Sequence, residues 1–227
     1  MEKYHSFLTG KKIIFVGPCP NIKGSGMGTK IDEYDVVVRT NNAFPVPVNL
    51  QADYGLRCDV LYTNCQYYRT QHPLPIKKLS QLGLKFLCMK SVLINEKRNY
   101  QRFVGVRRIP SGLCRSVNGA LMGVLALADM LIGKPNSIHL TAIDFYASKL
   151  PVFKPGDYRE YYEGYLPENI IQEANINNIG KRDGHNQVSN TKYIYGLWKK
   201  GLVTMDREIE DLMITIVKSG NEIRGRD

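Results

Sequence analysis

The sequence has no apolar run near the roughly 20 residues a membrane-spanning helix needs. Its amino terminus, MEKYHSFLTGKK, also lacks the apolar core of a secretory signal. The expectation is a cytoplasmic protein without its own anchor. Cysteine is scarce: Cys19, Cys58, Cys65, Cys88 and Cys114 are scattered and form no Cys-x-x-Cys pair. That excludes a zinc ribbon or dithiol redox motif and leaves buried free thiols as the reading. No Gly-Lys-Ser/Thr phosphate loop occurs, no Gly-x-Gly-x-x-Gly follows the first strand, and no Asp-x-Asp ends a strand to hold a divalent ion. Acidic residues are few, 21 against 31 Lys and Arg, for a net charge of +10. Such an excess draws nucleic acid, nucleotide phosphates, acidic glycans or anionic membrane surfaces, and by itself does not choose among them.

What is present is an ordinary globular composition, 43% hydrophobic and 23% charged over 227 residues, enough for one domain with its own core. Short apolar runs recur at Ile13–Val16, Val36–Val38, Asp59–Tyr62, Lys85–Met89 and Ser137–Ile143. Continuous β-branched and aromatic residues of this length predict strands buried on both faces of a parallel sheet. Helices are predicted over Asn118–Leu131, apolar almost all round, over Ser189–Lys200 with Gly201 as C-cap, and over Asp206–Lys218 with Gly220 as stop. Strands alternating with helices predict an α/β fold: a single Rossmann-like domain over 1–227 whose mostly parallel sheet is flanked by helices. The segment 147–183, rich in Pro, Gly, Tyr and Asn, is expected to be a lid or acceptor-binding segment.

Ligands of an open parallel sheet sit beyond the carboxyl ends of its strands. Here those ends carry Gly17, Asn41, Asn64 and Asp144. The loop behind the first strand contains Gly24-Ser25-Gly26-Met27-Gly28, whose small residues suit either a phosphate cradle or a plain turn. Both Asn41 and Asn118 suit turn and N-cap duty equally well. His185, just ahead of a helix, is either a surface histidine or a base facing a cleft. An imidazole suits the latter because its ordinary pKa lies near 6.5. Tyr146, Tyr158, Tyr161 and Tyr162 are either packing residues or phenol donors in or beside the irregular segment. Arg39 is expected to pair with Asp35 or another acid.

From Gly17 through Gly24-Ser25-Gly26-Met27-Gly28-Thr29-Lys30-Ile31-Asp32-Glu33-Tyr34-Asp35-Val36-Val37-Val38-Arg39-Thr40-Asn41-Asn42-Ala43, the chain resembles the large sialyl motif of glycosyltransferase family 29, the animal-type sialyltransferases. Asp53-Tyr54-Gly55-Leu56-Arg57 is similar to the Asp-x-Gly-x-Arg/Lys continuation of that motif. Ser116-Val117-Asn118-Gly119 resembles the small sialyl motif, Tyr161-Tyr162-Glu163 the tyrosine-rich motif, and His185 the histidine of the last motif. A fainter resemblance, to bacterial family 42 sialyltransferases, rests on Arg115 before Asn118-Gly119, on Ile143-Asp144-Phe145-Tyr146 and on Gly184-His185. The chain departs from family 29 in having Pro18-Cys19-Pro20 where Asn-Ser-Gly is usual. Ile13 stands in place of the first motif cysteine, and Asn190 in place of the last motif's glutamate.

The resemblance implies an inverting, metal-independent glycosyltransferase needing no cofactor, with CMP-sialic acid as donor. The acceptor would be a glycan on an oligosaccharide, glycolipid or glycoprotein. His185 would be the general base, and Tyr146, Tyr161 and Tyr162 would hydrogen-bond the departing phosphate. Arg115 would bind the donor phosphate or carboxylate. Gly17, Asn41, Asn118, Gly119 and Asp144 would line the donor site, with Asn64 at the sugar or acceptor. Two alternatives stay open: another nucleotide sugar on the same scaffold, and a non-catalytic protein binding nucleic acid or acidic glycan. The second is motivated by Lys97–Arg108, the densest basic stretch, read here as a solvated face with peripheral membrane contact as a further use.

Overall fold

The computed structural model describes residues 2–41, 43–63, 76–90, 94–116, 122–143 and 187–222. In chain order the elements are α1 (Lys3–Leu8), β1 (Lys12–Val16), α2 (Gly28–Asp32), β2 (Val36–Thr40), α3 (Gln51–Tyr54) and β3 (Val60–Thr63). There follow α4 (Ile76–Gln81), β4 (Phe86–Met89), α5 (Ile94–Tyr100), β5 (Gly105–Arg108), α6 (Ser111–Ser116) and α7 (Met122–Ile132). The chain closes with β6 (Ser137–Thr141), α8 (Gln187–Lys199), β7 (Thr204–Met205) and α9 (Arg207–Glu222).

Seven strands form one sheet in the order β5-β4-β3-β2-β1-β6-β7, and every pairing is parallel. Successive side chains of a strand point to opposite faces, so the apolar runs divide between two cores. Ile13, Phe15, Val36, Val38, Val60 and Tyr62 pack under α1, α7, α8 and α9. Ile14, Val16, Val37 and Ala142 meet residues of α2 and α3, while Leu61, Leu87 and Met89 meet α4. Coverage on both faces explains why these strands read as continuous hydrophobic runs.

The predicted α/β fold is therefore the observed one, with differences at its margins. The amino terminus forms α1 before the first strand. Both β5 and β7 were not anticipated, since one lies in the basic stretch and the other has two residues. Helix α8 ends as expected: Gly201 takes a positive φ of 68°, and the amides of Gly201 and Leu202 bond Trp198 O and Leu197 O. Helix α9 runs past Gly220 to Glu222 instead of stopping there. Cys19, Cys58 and Cys88 are buried free thiols, and burial pushes the Cys58 thiol up to about 12, far from reactivity at neutral pH. Among the described residues no helix is long and apolar enough to cross a membrane.

Arg107, within the stretch read as a solvated face, is buried. Its Nε and Nη2 donate to Oδ2 and Oδ1 of Asp129 on α7 at 2.8 and 2.6 Å, and its Nη1 ion-pairs with Glu2. Asp129, 0% exposed, also accepts from Tyr62 Oη at 2.9 Å and lies 3.4 Å from His5 Nε2. Tyr62 spends its proton on Asp129, so its oxygen accepts from Tyr4. Burial holds both phenols well above their ordinary pKa, which keeps them protonated as donors. This network ties α1, β3, β5 and α7 together.

Candidate functional site

The strand order reverses between β1 and β6: the chain steps from β1 outward to β5, then returns to the other side of β1. In open α/β sheets that switch point opens a crevice at the carboxyl ends of the strands, where ligands bind. Gly17 stands at the β1 end of it. Its amide bonds Thr141 O at 2.9 Å, and the Cys19 amide bonds Ala142 O at 2.9 Å, so the loop stays zipped to the β6 end. A Cβ on Gly17 would lie 2.2 Å from Ala142 O and 2.7 Å from Ile143 Cγ1. Glycine is therefore required there by the packing of two rim loops, whatever ligand lies beyond.

Backbone strain gathers at the same rim. Asn41, next after β2, has φ 51°, and Ala142, next after β6, has φ 53°. Asparagine tolerates the left-handed region, but alanine does so at a cost of order 1–3 kcal/mol. The two positions flank the end of β1, where strain of this kind accompanies ligand clamps. Nothing in the sequence marks Ala142, because its conformation is imposed by the β1–β6 contact.

The glycine-rich loop has a definite use. Both oxygens of Asp53 accept backbone amides, Oδ2 from Gly24 at 2.8 Å and Oδ1 from Gly26 at 2.9 Å. Those amides thus cradle a carboxylate of the chain itself instead of a phosphate. A Cβ on Gly28 would meet Gln51 O at 2.2 Å, so α2 packs on α3 at backbone distance. Tyr54 Oη then donates to Cys19 O at 2.7 Å, tying α3 to the loop behind β1.

The hydrogen bonds from Gly24 and Gly26 hold the Asp53 carboxyl below its ordinary pKa. A depressed carboxylate contributes stability above its unfolded value near 4, and loses it as pH falls through the folded value. Asp53→Asn, which keeps the shape but offers one acceptor, is expected to cost about 1.5–3 kcal/mol at pH 7. That difference from wild type should shrink below about pH 4, as measured by urea unfolding.

The rest of the motif braces the strands. Arg39, fully buried, donates Nε to Arg57 O at 2.9 Å and Nη2 to Tyr54 O at 2.5 Å. These bonds hold the loop after α3 by its carbonyls. The Asp35 carboxylate accepts the Lys12 amide, Asp32 accepts the amides of Leu56 and Arg57, and Arg57 pairs with Asp59 at 2.9 Å. His139 is likewise engaged: its ring nitrogens lie 2.9 Å from Thr204 Oγ1 and 3.0 Å from Asp206 Oδ1, joining β6 to β7. Burial raises the Asp206 pKa, but hydrogen bonds from His139 and Thr141 outweigh it and leave the net shift downward.

Of the residues expected at the site, Gly17 and Asn41 stand together on the rim around β1. Arg115 belongs to α6, which follows the carboxyl end of β5. His185, Tyr146, Tyr158, Tyr161, Tyr162, Asn64, Asn118, Gly119, Asp144 and the segment 147–183 lie outside the described residues. Among the described residues no group of three His, Cys, Asp or Glu is placed to hold a metal ion.

Residues 9–112, from the turn before β1 into α6, match the family model described as glycosyltransferase family 29 (sialyltransferase). Over that span the chain is similar to the sialyltransferases of that family. Its fold is shared with a mammalian sialyltransferase solved in complex with Gal-beta-1-3GalNAc-ortho-nitrophenol. The TM-score is 0.50 at 14% identity, covering 87% of this chain and 70% of that one. A second mammalian sialyltransferase structure agrees, with a TM-score of 0.51 at 14% identity over 87% of this chain and 69% of that one. No curated protein matches in sequence. The match thus spans the strands β1 to β5 and the bracing by Asp32, Asp35, Arg39 and Arg57, and it includes Gly17 and Asn41 on the rim but not Ala142.

Proposed function

We propose that the protein transfers sialic acid from CMP-sialic acid to a sugar hydroxyl of a glycan, with inversion and without a metal ion. The observation that carries this reading is that the family 29 match covers the β1 and β2 ends of the rim, Gly17 and the strained Asn41, at the β1–β6 switch point. In the reaction His185 takes the proton of the acceptor hydroxyl as its oxygen attacks the anomeric carbon. The bond from that carbon to the donor phosphate breaks, and CMP leaves carrying the electron pair. Tyr146, Tyr161 and Tyr162 hydrogen-bond the departing phosphate, which lowers the cost of its developing charge. Arg115 pairs with the donor phosphate or carboxylate. Gly17, Asn41, Asn118, Gly119 and Asp144 hold the nucleotide, and Asn64 the sugar or acceptor.

A second reading, another nucleotide sugar on the same scaffold, is favoured by one feature. Pro18-Cys19-Pro20 replaces Asn-Ser-Gly, and Cys19 is 3% exposed with its amide bonded to Ala142 and its carbonyl to Tyr54. The tripeptide therefore offers neither a side-chain amide nor an N–H at Pro18. Incubation with labelled CMP-sialic acid and Gal-β-1,3-GalNAc, beside a thermal-shift screen of cytidine, uridine, guanosine and adenosine nucleotides, separates the two. Transfer together with stabilisation by cytidine nucleotides is the expected result. Stabilisation by another nucleotide, with no transfer from CMP-sialic acid, overturns the first reading in favour of the second.

A further inference from the structure

The excess positive charge is unevenly placed. Residues 76–110, which supply α4, β4, α5 and β5, hold nine Lys or Arg and one acid, Glu96. That single stretch carries a net +8 of the chain's +10. It forms the edge of the sheet farthest from β6 and β7. Four strand spacings, about 19 Å, separate β5 from β1. The charge is therefore concentrated away from the β1–β6 crevice, and the donor does not account for it.

At the amino-end rim of this edge lies a groove of about 740 Å³, lined among others by Lys3, Lys85, Arg102, Phe103 and Arg107, with Glu2 its one acid. Ser80 Oγ of α4 donates to Phe103 O at 3.1 Å, which joins the end of α4 to the turn before β5. Lys77 and Lys78 of that helix are exposed, as are Arg98, Arg102 and Arg108. Amid these cations stand two large apolar side chains open to solvent, Leu82 at 46% and Phe103 at 42% exposure. Cations surrounding protruding leucine and phenylalanine fit the boundary between lipid headgroups and acyl chains.

We propose that the α4–β4–α5–β5 edge docks on an anionic lipid surface. A phosphate headgroup would lie at Lys3 and Arg102, which line the groove, and Leu82 and Phe103 would enter the interface. Nucleic acid would satisfy the cations but leave Leu82 without a role, because its backbone is read by charge. An acidic acceptor in this groove could not react, since the groove opens at the rim opposite the crevice. Docked this way, the crevice stays clear of the surface that holds the protein.

Flotation with vesicles of neutral phosphatidylcholine, alone or with added phosphatidylserine, tests this without any sugar donor, so it stands or falls independently of the transfer reaction. Binding to the anionic vesicles alone is expected, weakening as salt shortens the screening length. The combined Lys77→Glu, Lys78→Glu and Arg102→Glu variant should lose far more than the roughly fivefold expected for each surface cation removed. Phe103→Ser should weaken binding even at low salt, and circular dichroism checks that both variants fold. Equal binding to neutral vesicles overturns the proposal. So does undiminished binding by the charge-reversed variant, or salt-sensitive binding to duplex DNA or RNA with none to vesicles.

Discussion

Asp129→Ala is expected to destabilise the protein by about 3–5 kcal/mol, the range for breaking a buried ion pair. The substitution strips the Arg107 guanidinium, 4% exposed, of both its bonds to the carboxylate. It also removes the acceptor of the Tyr62 hydroxyl and the neighbour of His5. A cavity accounts for little of this loss, since aspartate is small; the main cost is a buried guanidinium left with only the exposed Glu2 as its ion partner. The double variant Asp129→Leu with Arg107→Met should therefore recover much of the stability, as apolar replacements of buried pairs often do. Urea unfolding of the two single variants and the double variant yields the coupling between them. Additive losses would show that the pair does not act as a unit.

His185→Ala is expected to lower the rate of sialyl transfer by about 10²–10⁴-fold, the usual contribution of a positioned general base. The loss should fall on kcat, with the KM for the donor little changed, because in the proposed reaction the base acts on the acceptor hydroxyl. Stabilisation by cytidine nucleotides should persist in the variant. Full transfer activity in His185→Ala would remove the histidine from the chemistry while leaving the donor assignment standing. Loss of nucleotide stabilisation along with activity would instead make it a donor-binding residue.

A good part of the molecule is legible without coordinates. Val36–Val38 and Ile13–Val16 announce strands buried on both sides, since a run with no polar alternation has no face to give to water. The end of α8 is legible too, because Gly201 after Lys200 is a local stop signal. The fourth strand is readable, but β5 is not. Gly105-Val106-Arg107-Arg108 is half charged, and only the placement of Asp129 opposite Arg107 makes its burial affordable. The apolar stretch that became α7 hides the same fact from the other side, since its one acid reads as an interruption until its partners are seen.

The candidate site divides along the same line. Gly17 and Asn41 are marked by position, as residues ending strands of a parallel sheet, and by likeness to the sialyl motif. The use of the glycine loop is not marked, because Gly24 and Asp53 are 29 residues apart and meet only when α3 folds against α2. Nor is the strain at Ala142, which depends on β6 returning beside β1.

By itself the sequence determined the layered α/β class, the ends of most strands, the order of the motifs and the excess of positive charge. Each of these follows from the character of neighbouring residues. Only the tertiary structure decided that the glycine cradle is filled by Asp53, that Arg107 belongs to the core, and that most of the charge is gathered on the β5 edge. Those outcomes depend on which distant segments meet, and burial gives a charge its meaning only once its partner is in place.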